Sequence, residues 1–388
     1  MPKPIVVVGA GLAGLNCALT LQDAGREVLL LEESDRAGGR IATDSVDGFL
    51  CDRGFQLINA GYPEIVRLDV IDELEFIEAP RIIEIAMGNK RIPVGDPRVL
   101  PLSAFRTQSG SMIEKAAVLK YLLRKPRTGT SMGGELRRAG TGKTYERVLK
   151  PFLTGVFLAD PDYVGADYGK EAMKHFVRGT PGLPRTGAGQ LPRALASRIG
   201  NFKTHTQVMR VRNESVLTSE GEIKAHAVVL ATDLTTAAQL LDINEIPTLV
   251  GCITWYHACE ESPSSTARLV VDGENRGPVY NSIVISHISP SYAPVGVHLI
   301  SSTTGLGVTE SEVRRHLSLM WHVETRNWTL IAKYEIPAAL PLHSPQRGTA
   351  HGPQIDDSLF VAGDYRSVPS QNGALASGRL AAQAVLAI

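Results

Sequence analysis

The sequence predicts an α/β fold centred on a buried parallel β-sheet. Residues 5–8 and 28–31 are short, continuous runs of apolar residues, typical of parallel strands that are covered on both faces. The segment between them opens with glycines, continues with the apolar spacing of a helix and ends at Gly25, a residue type that commonly follows a helix. A strand, a turn, a helix and a second strand within about thirty residues have the length of a crossover connection.

The composition is that of a globular protein without a charge bias. The chain has 388 residues with 40 Lys+Arg and 40 Asp+Glu, so its formal net charge is zero. This balance argues against a nucleic-acid partner, because binding to phosphates needs a basic excess. Hydrophobic residues make up 43% of the chain, which is enough for a sizeable core. No apolar run reaches the length of about 18 residues that would predict a membrane-spanning helix.

Cysteines and histidines show neither a metal-binding nor a disulfide pattern. The cysteines are far apart and form no C-x-x-C pair, and the histidines lack the spacing of metal ligands. We therefore expect no metal site and a reducing, cytoplasmic environment. The four cysteines are Cys17, Cys51, Cys252 and Cys259.

The first glycine loop predicts a dinucleotide site. Gly9, Gly11 and Gly14 follow a strand and open a helix. The first glycine permits a tight turn, the second lets a diphosphate approach the backbone, and the third lets the helix pack close to the strand. The first N–H groups of the helix, at Leu12 and Ala13, would then face the diphosphate. This pattern indicates a Rossmann-like domain.

A second glycine pair distinguishes FAD from NAD. Glu32 ends the second strand, where its carboxylate can accept hydrogen bonds from ribose hydroxyls, and Glu33 is a further candidate contact. Gly38 and Gly39 follow, and an NAD site has no need of such a pair, whereas the longer FAD must thread past the sheet edge. Arg40 adds a permanent positive charge for the diphosphate. An NAD-only enzyme stays as an alternative.

The segment 28–40 resembles the N-terminal signature of the superfamily of flavin amine oxidases, phytoene desaturases and protoporphyrinogen oxidases. The family usually carries Glu-Ala-Arg before Gly-Gly-Arg. Here residues 32–34 are Glu-Glu-Ser, so the basic residue that often lies beside the adenine is absent. The resemblance implies a glutathione-reductase-like FAD-binding domain with an interleaved α+β substrate domain. It also implies that the backbone of Val208 brackets the adenine.

The end of the chain resembles the second half of the family's FAD site. Gly363 and Asp364 follow an apolar run, and the resemblance implies that Asp364 binds the ribityl or diphosphate region. N–H groups near Asn372, Gly373 and Ala374 would face the flavin pyrimidine ring. A helix N-terminus in that position stabilises the negative charge of a reduced flavin. No cysteine tether occurs in this stretch, so noncovalent FAD is expected.

We expect the two domains to be interleaved along the chain. The FAD-binding domain would comprise residues 1–62, 185–245 and 345–388. The substrate or cap domain would comprise residues 63–184 and 246–344. The sequence does not indicate the oligomeric state.

The substrate site is only weakly marked. Removing a hydride from carbon needs a dry pocket over the flavin and little else from the protein, and no catalytic base stands out. Aromatic residues of the second central segment are the candidate pocket residues, although each is more often plain core. These candidates are Tyr256, Tyr280, Trp328 and Tyr334.

These features predict an FAD-dependent oxidoreductase that takes two electrons, as a hydride to flavin N5, from a small lipophilic substrate. One alternative is an amine oxidase that produces an imine and hydrogen peroxide. Another is a redox-neutral, FAD-dependent isomerase.

A basic stretch has two interpretations, one of which is contact with a membrane. Residues 106–150 carry eleven Lys/Arg and three Glu, an excess of eight positive charges. Within it, Met112, Ala116, Leu119 and Leu123 lie on one face of a predicted helix. A solvated helix is the plainer interpretation. The alternative is peripheral contact with an anionic membrane surface, from which a lipophilic substrate could enter.

Overall fold

A computed structural model describes residues 3–95, 100, 107–347 and 352–388. Residue 106, the first of the basic stretch, and the predicted domain segments at 1–2, 96–99, 101–105 and 348–351 lie outside this part. Two main sheets organise the described chain, one of six strands and one of seven. Parallel strands form most of the first, which confirms the α/β class. None of the helices described is long and apolar enough to cross a bilayer.

The six-stranded sheet is parallel except for its last pair. Ile5 and Val7 point into one core and Val6 and Val8 into another, so both faces are covered and the strand shows no polar alternation. In spatial order the strands are Phe202–Lys203, Val28–Leu31, Ile5–Val8, Ala227–Leu230, Leu359–Val361 and Gln354–Asp356.

Helices cover the face of Ile5 and Val7, and a small antiparallel sheet covers the other. The helices on the first face are Leu12–Asp23, Pro63–Leu68, Gln190–Ser197 and Gln371–Leu386. The elements on the second face are the strands Val208–Arg212, Ser215–Thr218 and Gly221–Lys224 and the helix Leu234–Leu240.

The seven-stranded sheet is built from two separate segments of the chain, residues 82–95 and residues 249–341. Strand Ile82–Met87 pairs in parallel with Leu269–Asp272, while helix Glu310–Trp321 packs on one face. In spatial order its strands are Thr329–Pro341, Leu249–Cys259, His298–Thr304, Val279–Val284, Leu269–Asp272, Ile82–Met87 and Lys90–Gly95. This arrangement is compatible with interleaved domains, whose boundaries stay a prediction.

Helices between residues 112 and 178 pack around a core of their own. They are Met112–Leu123, Met132–Arg138, Gly142–Thr144, the π-helix Tyr145–Leu149, Lys150–Phe157 and Ala166–Arg178. Short strands complete the described chain: the hairpin of Thr43–Val46 and Phe49–Asp52, and a three-stranded sheet of Ile58–Asn59, Pro181–Leu183 and Ile77–Glu78.

The first and last helices cross so closely that only a glycine fits between them. A Cβ at Gly378 would overlap the carbonyl oxygen of Ala13. The side-chain amide of Asn16 donates to the carbonyl of Leu375 at 2.7 Å in the same contact. The two ends of the chain are therefore held together next to the first glycine loop.

We predict that Gly378→Ala destabilises the protein. In a free helix alanine is favoured over glycine by about 1 kcal/mol. Here the added methyl would meet a backbone oxygen, and such overpacking costs about 1–3 kcal/mol, so the clash wins. Urea unfolding measures the change. Gly200→Ala is the matched control, because its Cβ would lie at an ordinary 3.6 Å from Gln22; equal stability of both variants would contradict the close crossing.

Candidate cofactor cleft

The two predicted glycine loops lie against each other. The N–H of Gly38 donates to the carbonyl of Ala10 at 2.8 Å, and Gly39 lies beside Gly11. Gly9 has a φ of +99°, which the tight turn after the first strand requires. A Cβ at Gly11 would meet no atom within 4 Å, so this glycine borders open space.

The first helix begins at this open space. Leu12 and Ala13 are its first two residues, and their N–H groups precede the first intrahelical donor, Leu15, which bonds Gly11. Gly14 packs against the carbonyl of Gly9, as its predicted role in helix–strand packing requires. The turn thus presents backbone donors and a positive helix end to the same space.

Glu32 connects the first loop to the chain that follows the second strand. Its carboxylate accepts from the N–H of Ala10 at 2.7 Å and from the hydroxyl of Ser34 at 2.8 Å. The N–H of Thr206 donates to the carbonyl of Glu32 at 2.8 Å, which brings the chain leading into Val208 to the same edge. Glu33 is exposed.

Arg40 and Asp364 form the direct link between the two halves of the predicted site. Arg40 Nη2 lies 2.8 Å from Asp364 Oδ1, and its Nη1 donates to the carbonyl of Ala339 at 2.6 Å. Burial opposes the charge of Arg40, yet the nearby Asp364 carboxylate raises the pKa of Arg40 above its ordinary value. Gly363, just before Asp364, donates its N–H to Ser377 at 3.0 Å.

The start of the last helix differs from the expectation for its N–H groups. Ser370 is the N-cap, and its hydroxyl accepts from the N–H of Gly373 while its carbonyl accepts from that of Ala374. Both donors are therefore used within the cap. The first-turn donors that remain within the described chain are those of Gln371 and Asn372. The contact of this helix start with a flavin stays a prediction.

Two glutamines that were not among the predicted site residues connect Arg40 to the start of the last helix. Gln56 Nε2 donates to the carbonyl of Arg40 at 3.0 Å, and Gln371 Nε2 lies 3.4 Å from Gln56 Oε1. Gln371 Oε1 is buried without a hydrogen bond from the described residues. A buried carbonyl that lacks a donor marks a place where a ligand can supply one. No sequence motif identifies isolated glutamines of this kind.

The four aromatic candidates do not form one pocket. Tyr256 and Tyr334 share a face of the second sheet, with ring centroids 6.2 Å apart. Trp328 lies on the opposite face, in the core beneath helix Glu310–Trp321. Tyr280 lies beside Gly155 and Gly305. Tyr256 is fully buried and Trp328 packs on the far face, so the role of the four residues at a substrate site stays a prediction.

Tyr256 is part of a buried hydrogen-bonded cluster around Asp52. Its hydroxyl donates to the backbone carbonyl of Asp52 at 3.0 Å. The Asp52 carboxylate accepts from Thr43 at 2.5 Å, from Tyr292 at 2.7 Å and from the N–H of Ala188 at 3.0 Å. Burial raises the pKa of Asp52 to about 6, although these hydrogen bonds oppose the shift.

We predict that Asp52 makes stability depend on pH. Its pKa in the folded chain, about 6, lies above the ordinary value of 3.8, so the folded state binds more protons between these values. The free energy of unfolding should therefore fall as the pH rises from about 4 to about 7, by about 3 kcal/mol from this group. Asp52→Asn, in which Nδ2 can donate to the Tyr292 hydroxyl, should remove this part of the slope. Parallel profiles of the two proteins in denaturant unfolding would contradict the shift.

The fold and the cleft define an α/β protein in which a dinucleotide-type loop at one end of the chain is completed by a helix from the other. The chain belongs to the flavin-containing amine oxidoreductase family, whose model matches residues 12–386. It is therefore a flavin-dependent oxidoreductase. The open space at Gly11 and the unpaired carbonyl of Gln371 fit the flavin nucleotide that the family implies.

Individual relatives differ in how much of the chain they match. Chloroplastic protoporphyrinogen oxidase of Nicotiana tabacum is 24% identical over an alignment of 454 positions, which covers 93% of this chain and 81% of the relative. Putrescine oxidase of Kocuria rosea is 47% identical over 72 residues, only 19% of this chain and 15% of the relative. The crystal structure of an oxidoreductase from Methanosarcina mazei matches with a TM-score of 0.77 at 17% identity, over 99% of this chain and 100% of that one. That likeness concerns the fold.

Proposed function

We propose that the flavin is FAD and that it lies along the cleft between the two glycine loops and the last helix. The N–H groups of the first helix would bind the diphosphate, and Glu32 would exchange its bond to Ala10 for the ribose hydroxyls. Arg40 and Asp364 would flank the middle of the cofactor. Gln371 and Asn372 would face the isoalloxazine. The residues of the proposed site are Gly9, Gly11, Leu12, Ala13, Gly14, Glu32, Gly38, Gly39, Arg40, Val208, Gly363, Asp364, Gln371 and Asn372.

The cysteines support noncovalent binding. All four are buried, and burial raises the pKa of each thiol, to about 12 at Cys51 and about 11 at Cys252 and Cys259. A thiol held neutral in this way is a poor nucleophile, so no side chain of this type is prepared to form a tether. Precipitation with acid should therefore release the flavin into the supernatant.

We propose that the enzyme oxidises a lipophilic substrate by two electrons, for which FAD supplies the acceptor. Apart from the family, the match that covers 93% of the chain, to a protoporphyrinogen oxidase, carries this proposal. Apolar side chains beside the cleft support it. Ile336 packs against Gly54 and lies three residues before Ala339, whose carbonyl binds Arg40. The exposed side chain of Leu306 lies against Gly251. An amine oxidase is the second candidate, supported by the short match to putrescine oxidase.

We predict that Gly11→Val prevents flavin binding without unfolding the protein. The valine side chain would enter the open space that the diphosphate needs, while a Cβ at Gly11 touches no atom of the chain. The wild type should be yellow, with an absorption band at about 450 nm, which is typical of oxidised flavin. The variant should be colourless with the melting temperature of flavin-free wild type. A yellow variant would refute this position for the diphosphate.

The substrate class is tested by anaerobic reduction of the bound flavin. We expect porphyrinogens or polyenes to bleach the flavin and primary amines to leave it oxidised. Ile336→Asp should raise KM for the lipophilic donor about tenfold, since it puts a charge on the apolar wall. Leu319→Asp, on the helix that covers the far face, is the control. Bleaching by amines alone would favour the amine oxidase, and isomerisation of a substrate without net bleaching would favour the redox-neutral alternative.

We also propose that helix Met112–Leu123 contacts an anionic membrane surface. Its apolar stripe faces outward: Met112 is 52% exposed, Leu119 61% and Leu123 80%, whereas the buried residues of the helix are Ala117 and Tyr121. Four basic residues lie next to the stripe residues in the sequence, namely Lys115, Lys120, Arg124 and Lys125. An apolar stripe with a basic border is the pattern of a helix that lies in a lipid interface.

We predict that the protein floats with phosphatidylglycerol vesicles at low salt. Leu119→Glu combined with Leu123→Glu should abolish flotation, because both residues would place charge in the apolar layer. Val295→Glu, at an exposed apolar residue far from the helix in sequence, is the control and should float as the wild type does. Wild-type protein that stays with the soluble fraction, or a double variant that still floats, would refute the contact.

A further inference from the structure

A basic cavity lies among the helices of residues 112–178, apart from the cofactor cleft. Its volume is about 480 Å³, within the range of small-molecule sites. Five cationic side chains and one carboxylate line it. They are Arg124, Lys125, Arg127, Arg138, Lys170 and Glu135.

The charges of this cavity are not balanced by the chain. Glu135 is shared by two of the cations, at 3.0 Å from Arg127 and 2.7 Å from Arg138. Arg124, Lys125 and Lys170 form no ion pair with any carboxylate of the described residues. The cavity therefore has an excess of four positive charges, which favours an anionic ligand.

One buried polar atom of the cavity, the Tyr121 hydroxyl, lacks a hydrogen-bond partner within the described chain, and Lys170 lies beside it. Lys170 is 3% exposed and Tyr121 4% exposed, and Lys170 Nζ lies 5.4 Å from the centre of the Tyr121 ring. Tyr121 Oη is buried and has no hydrogen bond from the described residues. Burial lowers the pKa of Lys170, which means that the covered ammonium is costly as it stands. An anion that accepts from both groups would remove this cost.

We propose that this cavity binds a phosphate-type anion, such as a phosphate ester or a diphosphate. Arginine forks and a lysine point charge are the side chains that suit phosphate oxygens. The volume is larger than one phosphate needs, so part of an organic group can enter with it. The ligand is either a free phosphate compound or the headgroup of an anionic lipid, and both offer the same oxygens.

The site is separate from the proposed cofactor cleft, because none of the residues that line it belongs to that cleft. Lys170 belongs to helix Ala166–Arg178, and another residue of that helix, Tyr168, donates its hydroxyl to the carbonyl of Pro369 at 2.7 Å, just before the last helix. The helix thus reaches toward the cleft with one side chain and into the basic cavity with another. Loss of flavin binding and loss of anion binding can therefore be measured independently.

The test is titration of the full-length, flavin-loaded protein with sodium pyrophosphate at low salt in a calorimeter. The wild type should bind, and Lys170→Met should weaken binding about tenfold or more, because it removes the central charge but keeps the length of the side chain. Tyr121→Phe should weaken it about threefold to tenfold through the lost hydroxyl, without lowering the melting temperature, since that hydroxyl is unpaired in the free protein. Lys143→Met, an exposed lysine of the same basic stretch outside the cavity, is the charge-matched control and should bind as the wild type does.

A second arm identifies the source of the phosphate. If the ligand is a lipid headgroup, pyrophosphate should release the wild type from phosphatidylglycerol vesicles, and Lys170→Met should bind those vesicles more weakly than Lys143→Met. If it is a free compound, both variants should bind vesicles equally while only Lys170→Met loses pyrophosphate. The proposal is overturned if the wild type binds neither pyrophosphate nor vesicles, or if Lys170→Met binds both as the control does.

Discussion

The close crossing of the first and last helices is the constraint on which the cleft depends. The loop of residues 9–14 and the turn at Asp364 are at opposite ends of the sequence, and neither alone encloses a ligand. They meet because Gly378 lets the carbonyl of Ala13 approach the last helix. A buried polar network fixes the rotation of that helix: Arg379 binds Glu64 at 2.8 Å, and the N–H of Glu64 donates to Asn372 at its start. A charge buried with its partners in this way is costly to separate, so the network favours one orientation of the helix N-terminus.

Arg40 transmits this arrangement to the second sheet. Its guanidinium binds a carboxylate at the end of one sheet and a carbonyl in the edge strand Thr329–Pro341 of the other. An ion pair at the surface would contribute little, but here the Asp364 carboxylate is 5% exposed and would lose its hydrogen-bonded cation without Arg40. The planar fork satisfies both partners at once, which a lysine at this position could not do. Arg40 therefore fixes the position of Ile336, on the same edge strand, relative to the cofactor cleft.

The sequence was sufficient to predict those elements whose local residue pattern is compatible with only one structure. The strands 5–8 and 28–31 and the helix between them were predicted within a few residues, because a double-faced parallel strand and a glycine turn have distinct patterns. Strand Thr329–Pro341 was missed since it contains two prolines, which an edge strand tolerates. The aromatic candidates were uncertain from the sequence for another reason. The sequence does not tell which side of a sheet an aromatic residue packs against, and only the fold shows that Trp328, just before strand Thr329–Pro341, lies under a helix.

Unpaired buried groups are informative only in combination. Hydroxyls of Thr254 and Thr303 in the second sheet also lack partners, and nothing near them suggests a ligand. His316 shows the opposite case, since it binds Asp272 at 2.9 Å and accepts from the N–H of Val279, which ties helix Glu310–Trp321 to its sheet. Gln371 and Tyr121 differ from both. The carbonyl of Gln371 is a buried acceptor close to Arg40, so a ligand there has to donate a hydrogen bond. The hydroxyl of Tyr121 lines a cavity with unbalanced positive charge, where a missing acceptor and the surrounding field both favour an anion.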